Sequence, residues 1–167
     1  MKDTNIVTEG IYREDETLRL AREKAMVYLS YSEHTIGSMY QKLIRCGFDI
    51  DAVNSTLEYL CDRGYINECD YYVRFCRHCA EKRGYGRARI ELMAREKGFS
   101  KATVRQMSDE AFSKIDFLEI CRIQLGKLKY FDHTDKKSRD KAIASLMRRG
   151  FSASDIREAI RLYVNEE

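Results

Sequence analysis

Thr35-Ile36-Gly37-Ser38-Met39-Tyr40-Gln41-Lys42-Leu43-Ile44-Arg45-Cys46-Gly47-Phe48-Asp49 is a helix with both of its ends written into the sequence. The Thr35 hydroxyl can accept a bond from an orphaned N–H of the first turn. Met39 and Leu43 fall on one helical face. Gly47 then stops the helix, because a left-handed residue after the last turn costs glycine no Cβ clash. Phe48 supplies the hydrophobe that folds back onto that turn. Asp49 is the cap of a second helix, whose apolar stripe begins with Val53 and Leu57.

The same grammar recurs twice. Gly86 stands twelve residues before Gly98-Phe99-Ser100, and Ser138 twelve before Gly150-Phe151-Ser152, as Thr35 stands twelve before Gly47. The three corner glycines are fifty-one and fifty-two residues apart, an interval that marks tandem copies of one supersecondary unit. Ile90, Ala94 and Val104 fill the apolar slots of the second copy; Ala142, Leu146, Ile156 and Ile160 fill those of the third, with Ser138 read as its cap. A further helix precedes each pair. Its buried face is read as Leu18, Ala21, Ala25, Tyr28 and Leu29 in the first copy. In the second it is Tyr72, Phe75, Cys76 and Cys79, and in the third Ile115, Leu118, Ile120, Cys121, Leu125 and Leu128. The reading is an all-α protein of three tandem three-helix modules, each built on a helix-turn-helix-like pair, over residues 16–66, 67–114 and 115–167. Residues 1–15 read as an acidic, flexible N-terminal tail. A module of about 50 residues buries a small core and is marginal alone, so docking against its neighbours is expected.

Composition narrows the function classes. The chain has 167 residues, 44% of them hydrophobic and 34% charged, with no proline. No apolar stretch approaches the roughly 20 residues of a membrane helix, and the N-terminus lacks a signal-peptide core, so the protein is expected in the cytoplasm. Period-two alternation of β-branched residues is absent. Six cysteines include Cys76-Arg77-His78-Cys79, but no second pair follows at zinc-site spacing, so these thiols read as small core residues and not as a metal site. His34, His78 and His133 are scattered, and no nucleophile elbow, phosphate loop or dinucleotide fingerprint is present. The sequence therefore reads as a non-enzyme without a cofactor.

Charge is unevenly placed. Residues 1–16 carry a net charge of −3, residues 17–66 balance, and residues 67–110 and 111–167 each carry +3. Two basic clusters stand out. Lys82, Arg83, Tyr85, Arg87 and Arg89 surround the start of a helix, where cations oppose the dipole and a docked acidic group or phosphate would relieve them. Lys137, Lys141 and Arg148 project from one side of a single helix, with Arg149 beside them. Of the eleven tyrosines, Tyr28, Tyr59 and Tyr72 read as core residues with a wet hydroxyl, and Tyr85, between two glycines, reads as exposed.

These residues resemble a known family. The run Leu60 to Glu68 with Gly64-Tyr65-Ile66, then Tyr71 and Val73, then Lys82-Arg83-Gly84-Tyr85-Gly86-Arg87-Ala88-Arg89-Ile90 and Lys97-Gly98-Phe99, is similar to the RecX regulatory proteins. Ala25 to Leu29, the Lys42-Leu43 to Gly47-Phe48 corner and the segment from Lys141 to Ile156 fit the same pattern, so the resemblance spans roughly residues 16 to 165. It departs from the pattern at Arg87, where proline is common, at Tyr72, where a small residue is usual, at Asn67 for aspartate, and at Ser38 for the glutamate of a capping box. The resemblance implies an elongated, curved molecule. It also implies a monomer that lies along the RecA recombinase filament on single-stranded DNA and restrains strand exchange, ATP hydrolysis and coprotease activity. Lys82, Arg83, Tyr85, Arg87, Arg89, Lys137, Lys141, Arg148 and Arg149 are the expected contacts to filament or phosphate. The alternatives are a direct DNA-binding helical-repeat protein and a helical adaptor for another partner. The residues that start the last helix of each copy, Ile50-Asp51, Lys101-Ala102 and Ala153-Ser154, form no base-reading set, which speaks against the first of these.

Overall fold

A computed structural model describes the backbone of residues 3–166 and the side chains of residues 16–165. The described residues form nine α-helices and no strand: α1 Asp3–Tyr31, α2 Ile36–Arg45, α3 Ile50–Asp62, α4 Glu68–Glu81, α5 Arg87–Glu96, α6 Lys101–Ser113, α7 Phe117–Gly126, α8 Lys136–Arg148 and α9 Ala153–Glu166. None is long and apolar enough to cross a membrane. The all-α repeat expected from the sequence is the fold. Helix α1 includes residues 3–15, where the charge pattern reads a flexible tail; the side chains of that stretch lie outside the described residues.

The chain divides into two compact units, residues 1–71 with 97–100, and residues 72–96 with 101–167. In the first, α1 packs on α2 and α3 around Ala25, Met39, Leu43, Val53, Leu57, Leu60 and Ile66. In the second, α7 packs on α8 and α9 around Cys121, Leu125, Ala142, Leu146, Phe151, Ile156 and Ala159. Tyr72, Cys76, Cys79, Ile90, Ala94 and Phe112 of that second unit are also buried. The place where a small residue is usual is thus filled by a fully buried Tyr72, whose hydroxyl lies 3.2 Å from the Ser108 Oγ. Burial pushes the Tyr72 phenol up to about 12, and it pushes the Cys76 and Cys121 thiols up to about 12 as well.

The corners form as the glycine pattern requires. Gly47, Gly98 and Gly150 have φ of 89°, 85° and 88°, the left-handed region in which a side chain is strained. The Phe48 N–H donates to the Leu43 carbonyl at 3.4 Å and the Gly47 N–H to Ile44 at 2.9 Å; Phe151 and Gly150 repeat both bonds to Leu146 and Met147 at 3.3 and 2.9 Å. These are the two bonds of a Schellman stop. Asp49 caps α3 by accepting from the Ala52 N–H at 2.8 Å, and Ser152 accepts from the Asp155 N–H at 3.0 Å.

One cap is corrected. Ser138 does not open α8. Asp135 does, accepting from the N–H groups of Lys137 and Ser138, so the helix begins a turn earlier than the repeat predicts. A carboxylate is as good a cap as a serine hydroxyl, and the nearer one to the preceding loop wins. Ser138, now inside the first turn, donates to the Tyr130 carbonyl at 2.7 Å and accepts from the Asp132 N–H at 2.9 Å.

Candidate partner-binding surface

The first turns of α2 and α5 each receive one of the glycine corners. In the first unit the Thr35 hydroxyl donates to the Lys97 carbonyl at 2.9 Å, and the Gly37 N–H donates to the Gly98 carbonyl at 3.3 Å. In the second unit the Gly86 N–H donates to the Arg149 carbonyl at 2.9 Å, and the Ala88 N–H to the Gly150 carbonyl at 3.2 Å. Both contacts pair the unsatisfied N–H groups that begin a helix with the unsatisfied carbonyls that end another, so orphans and opposite dipole ends cancel together. The approach is close. A Cβ on Gly37 would lie 2.6 Å from the Gly98 carbonyl oxygen, and one on Gly86 would overlap the Gly150 and Phe151 backbone.

Glu68 completes the first junction. It is buried, with its Oε1 accepting from the Ile36 N–H at 2.9 Å and its Oε2 from the Ser100 N–H at 3.1 Å. One carboxylate thus serves the backbone N–H groups of both Ile36 and Ser100. Nothing in the sequence sets Glu68 apart from an ordinary acidic residue at the start of its own helix α4, so sequence reasoning missed it.

These contacts redistribute the basic residues expected to bind a partner. Arg87 is engaged within the second unit: its Nε is 3.0 Å from the Glu91 carboxylate, an Nη lies 4.0 Å from Asp109, and its guanidinium is 4.7 Å above the Phe112 ring. The helix start that appeared free for a phosphate is filled by the carbonyls of Arg149 and Gly150. Arg89 is half-buried, with its backbone and Cβ packed against Gly150. The Arg149 guanidinium reaches the Arg83 and Gly84 carbonyls at 3.4 and 3.5 Å. Tyr85, read as exposed, is half-buried.

Lys82, Arg83, Lys137, Lys141 and Arg148 remain exposed, as does the ion-paired Arg87. On α8 the last three are separated by four and seven residues, which keeps them within about 40° of one another around the helix. Ala142 and Leu146 bury the opposite side of the same helix, which fixes that basic face outward. The Lys141 Nζ lies 4.4 Å over the ring of Tyr130, itself 40% exposed, so cation and aromatic surface are presented together. Among the described residues no group of three or more His, Cys, Asp or Glu could hold a metal ion.

Tandem helical units with an outward cationic face make up an all-α repeat scaffold. The chain belongs to the RecX family. The family's first three-helix domain matches residues 21–60. The chain is 30% identical over 139 residues to the regulatory protein RecX of Halorhodospira halophila, covering 83% of this chain and 84% of that one. It is 26% identical over 151 residues to the regulatory protein RecX of Vibrio cholerae, covering 90% and 97%. The crystal structure of RecX from Lactobacillus salivarius shares the fold with a TM-score of 0.74 at 22% identity, covering 88% of this chain and 96% of that one.

Proposed function

We propose that this protein binds the RecA filament assembled on single-stranded DNA and restrains its ATPase, strand-exchange and coprotease activities. Family membership supports the partner. The exposed cationic face of α8 is the observation that carries the contact: Lys137, Lys141 and Arg148 point one way, unburdened by the core on the helix's other side. Lys82 and Arg83 are a second, smaller contact. Arg87, Arg89 and Arg149 are assigned instead to holding α5 in place. Inhibition follows from occupancy: several weak contacts along one polymer reinforce one another and favour assembled filament over free subunits.

The test is single-strand-dependent RecA ATPase with the protein at substoichiometric ratios. The wild type lowers turnover, and the triple change Lys137→Glu, Lys141→Glu, Arg148→Glu abolishes the effect with an unchanged melting temperature. Full inhibition by that variant removes α8 from the contact. A salt series on bare DNA separates the alternative, since tight and steeply salt-dependent binding without RecA indicates direct DNA recognition.

A further inference from the structure

Three corners are built alike, and two of them are occupied. The carbonyls of Lys97 and Gly98 accept from the first turn of α2, and those of Arg149 and Gly150 from the first turn of α5. Cys46 and Gly47 are their counterparts at the end of α2. Their carbonyls accept no hydrogen bond from the described residues, and a Cβ on Gly47 would meet nothing within 4 Å. Cys46, Gly47, Asp49 and Ile50 are exposed, Ile50 by 58%. The backbone of this corner matches the occupied ones: φ is 89° against 85° and 88°.

We propose that the Gly47 corner is a docking site for the first turn of a helix in a partner protein. The repeated geometry defines what fits: a helix start with free N–H groups and a glycine where it meets the corner, as Gly37 does in one junction and Gly86 in the other, since a Cβ at either would overlap the corner backbone. The occupant is not a second copy of this chain. The one helix start of the series that receives no corner is that of α8, and it is closed. Asp135 caps it a turn early, Ser138 is spent on Tyr130 and Asp132, and Asp140 stands where Gly37 and Ala88 stand. A carboxylate at that place repels an incoming carbonyl. The series is therefore sealed at α8 and open at Gly47.

The test is an NMR titration of the isotope-labelled full chain with a synthetic peptide of residues 33–46, cross-linked to hold it helical. Saturable amide shifts are expected at Cys46, Gly47 and Phe48. Gly47→Asn keeps a residue that tolerates the left-handed region and places its side chain in the open space, so it should fold normally yet bind the peptide at least about tenfold more weakly. Ile50→Arg is a second blocking variant at an exposed position and should weaken binding in the same direction. A peptide with Gly37→Val should not bind. Absence of shifts at Cys46 to Phe48 with millimolar peptide, or wild-type affinity in both blocking variants, overturns the proposal. Sedimentation of the chain alone tests the occupant: self-association that Gly47→Asn abolishes would make the occupant a second copy and overturn its assignment to a partner.

Discussion

The Thr35–Gly98 and Gly86–Gly150 junctions solve one problem with different chemistry. In each, a helix start donates to the carbonyls of Lys97 and Gly98 or of Arg149 and Gly150. The first donor is a side chain in one, the Thr35 hydroxyl, and a backbone amide in the other, that of Gly86. The first adds a buried carboxylate, Glu68, bonded to two helix starts. The second has the Arg149 guanidinium over the Arg83 and Gly84 carbonyls. What is common to both is backbone geometry, namely a left-handed glycine carbonyl meeting an N–H at the same place in the repeat. The side chains are variable reinforcement around it.

The largest effect should therefore come from crowding the backbone contact. Gly86→Val places a branched side chain against the Gly150 and Phe151 backbone, which cannot give way as a flexible side chain would. A loss of about 3 kcal/mol or more is expected, and a fall in Tm on the order of 10 °C. Gly98→Val should cost a similar amount, combining the strain of φ 85° with close contact to the Ser38 amide nitrogen and Thr35 Oγ1 at 3.1 and 3.2 Å. Thermal unfolding followed by circular dichroism measures both, and a parental Tm in either would break the equivalence of the two junctions.

Next in size is Glu68→Ala, which strips acceptors from the Ile36 and Ser100 N–H groups. Leaving buried donors unsatisfied costs roughly 1–3 kcal/mol. Amide exchange should quicken at Ile36 and Ser100 in this variant while the first turn of α5, which has no such carboxylate, is unaffected. Equal quickening at both helix starts would mean that the two junctions are not independent.

The repeat, the corner glycines and the buried faces were legible because each is local: cap, stripe and stop lie within fifteen residues of one another. Phe99 and Phe151 are 5% exposed, as a hydrophobe folded back onto a helix end requires. The junctions were not legible, since they join residues about sixty apart through backbone atoms that have no sequence signature. For the same reason Arg87 and Arg89 read as a free cationic cluster. Their spacing shows charge at a helix start, and Glu91 four residues after Arg87 on the same helix was there to be read, but Asp109, Phe112 and the Gly150 corner come from distant parts of the chain. The α8 face was legible because the periodicity that buries Ala142 and Leu146 necessarily turns Lys137, Lys141 and Arg148 outward.

The buried thiols offer a pH test of the second unit. Cys76 and Cys121 are raised to about 12 by burial, from an ordinary value of 9, whereas Cys46 is exposed. The folded state thus holds these two protons more tightly than the unfolded chain. Their contribution to stability is complete below pH 9 and is lost as pH rises from 9 through 12. Tm should decline across that window. At pH 8 a thiol reagent should modify Cys46 promptly and spare Cys76 and Cys121 until denaturant is added. Prompt labelling of either buried thiol in the native protein would show that the second unit opens far more readily than its packing implies.

The smallest effect should come from Arg149→Met. Its guanidinium bonds are long, at 3.4 and 3.5 Å, while the Arg149 carbonyl that accepts from Gly86 survives any substitution of the side chain. Methionine retains most of the aliphatic stem, so the loss should be about 0.5 kcal/mol, the low end for a hydrogen bond. Chemical denaturation of Arg149→Met beside Gly86→Val therefore compares the two halves of one junction directly. A small change for Arg149→Met and a large one for Gly86→Val assign the contact to the backbone; comparable losses would mean that the guanidinium, and not the glycine corner, holds α5 against the end of α8.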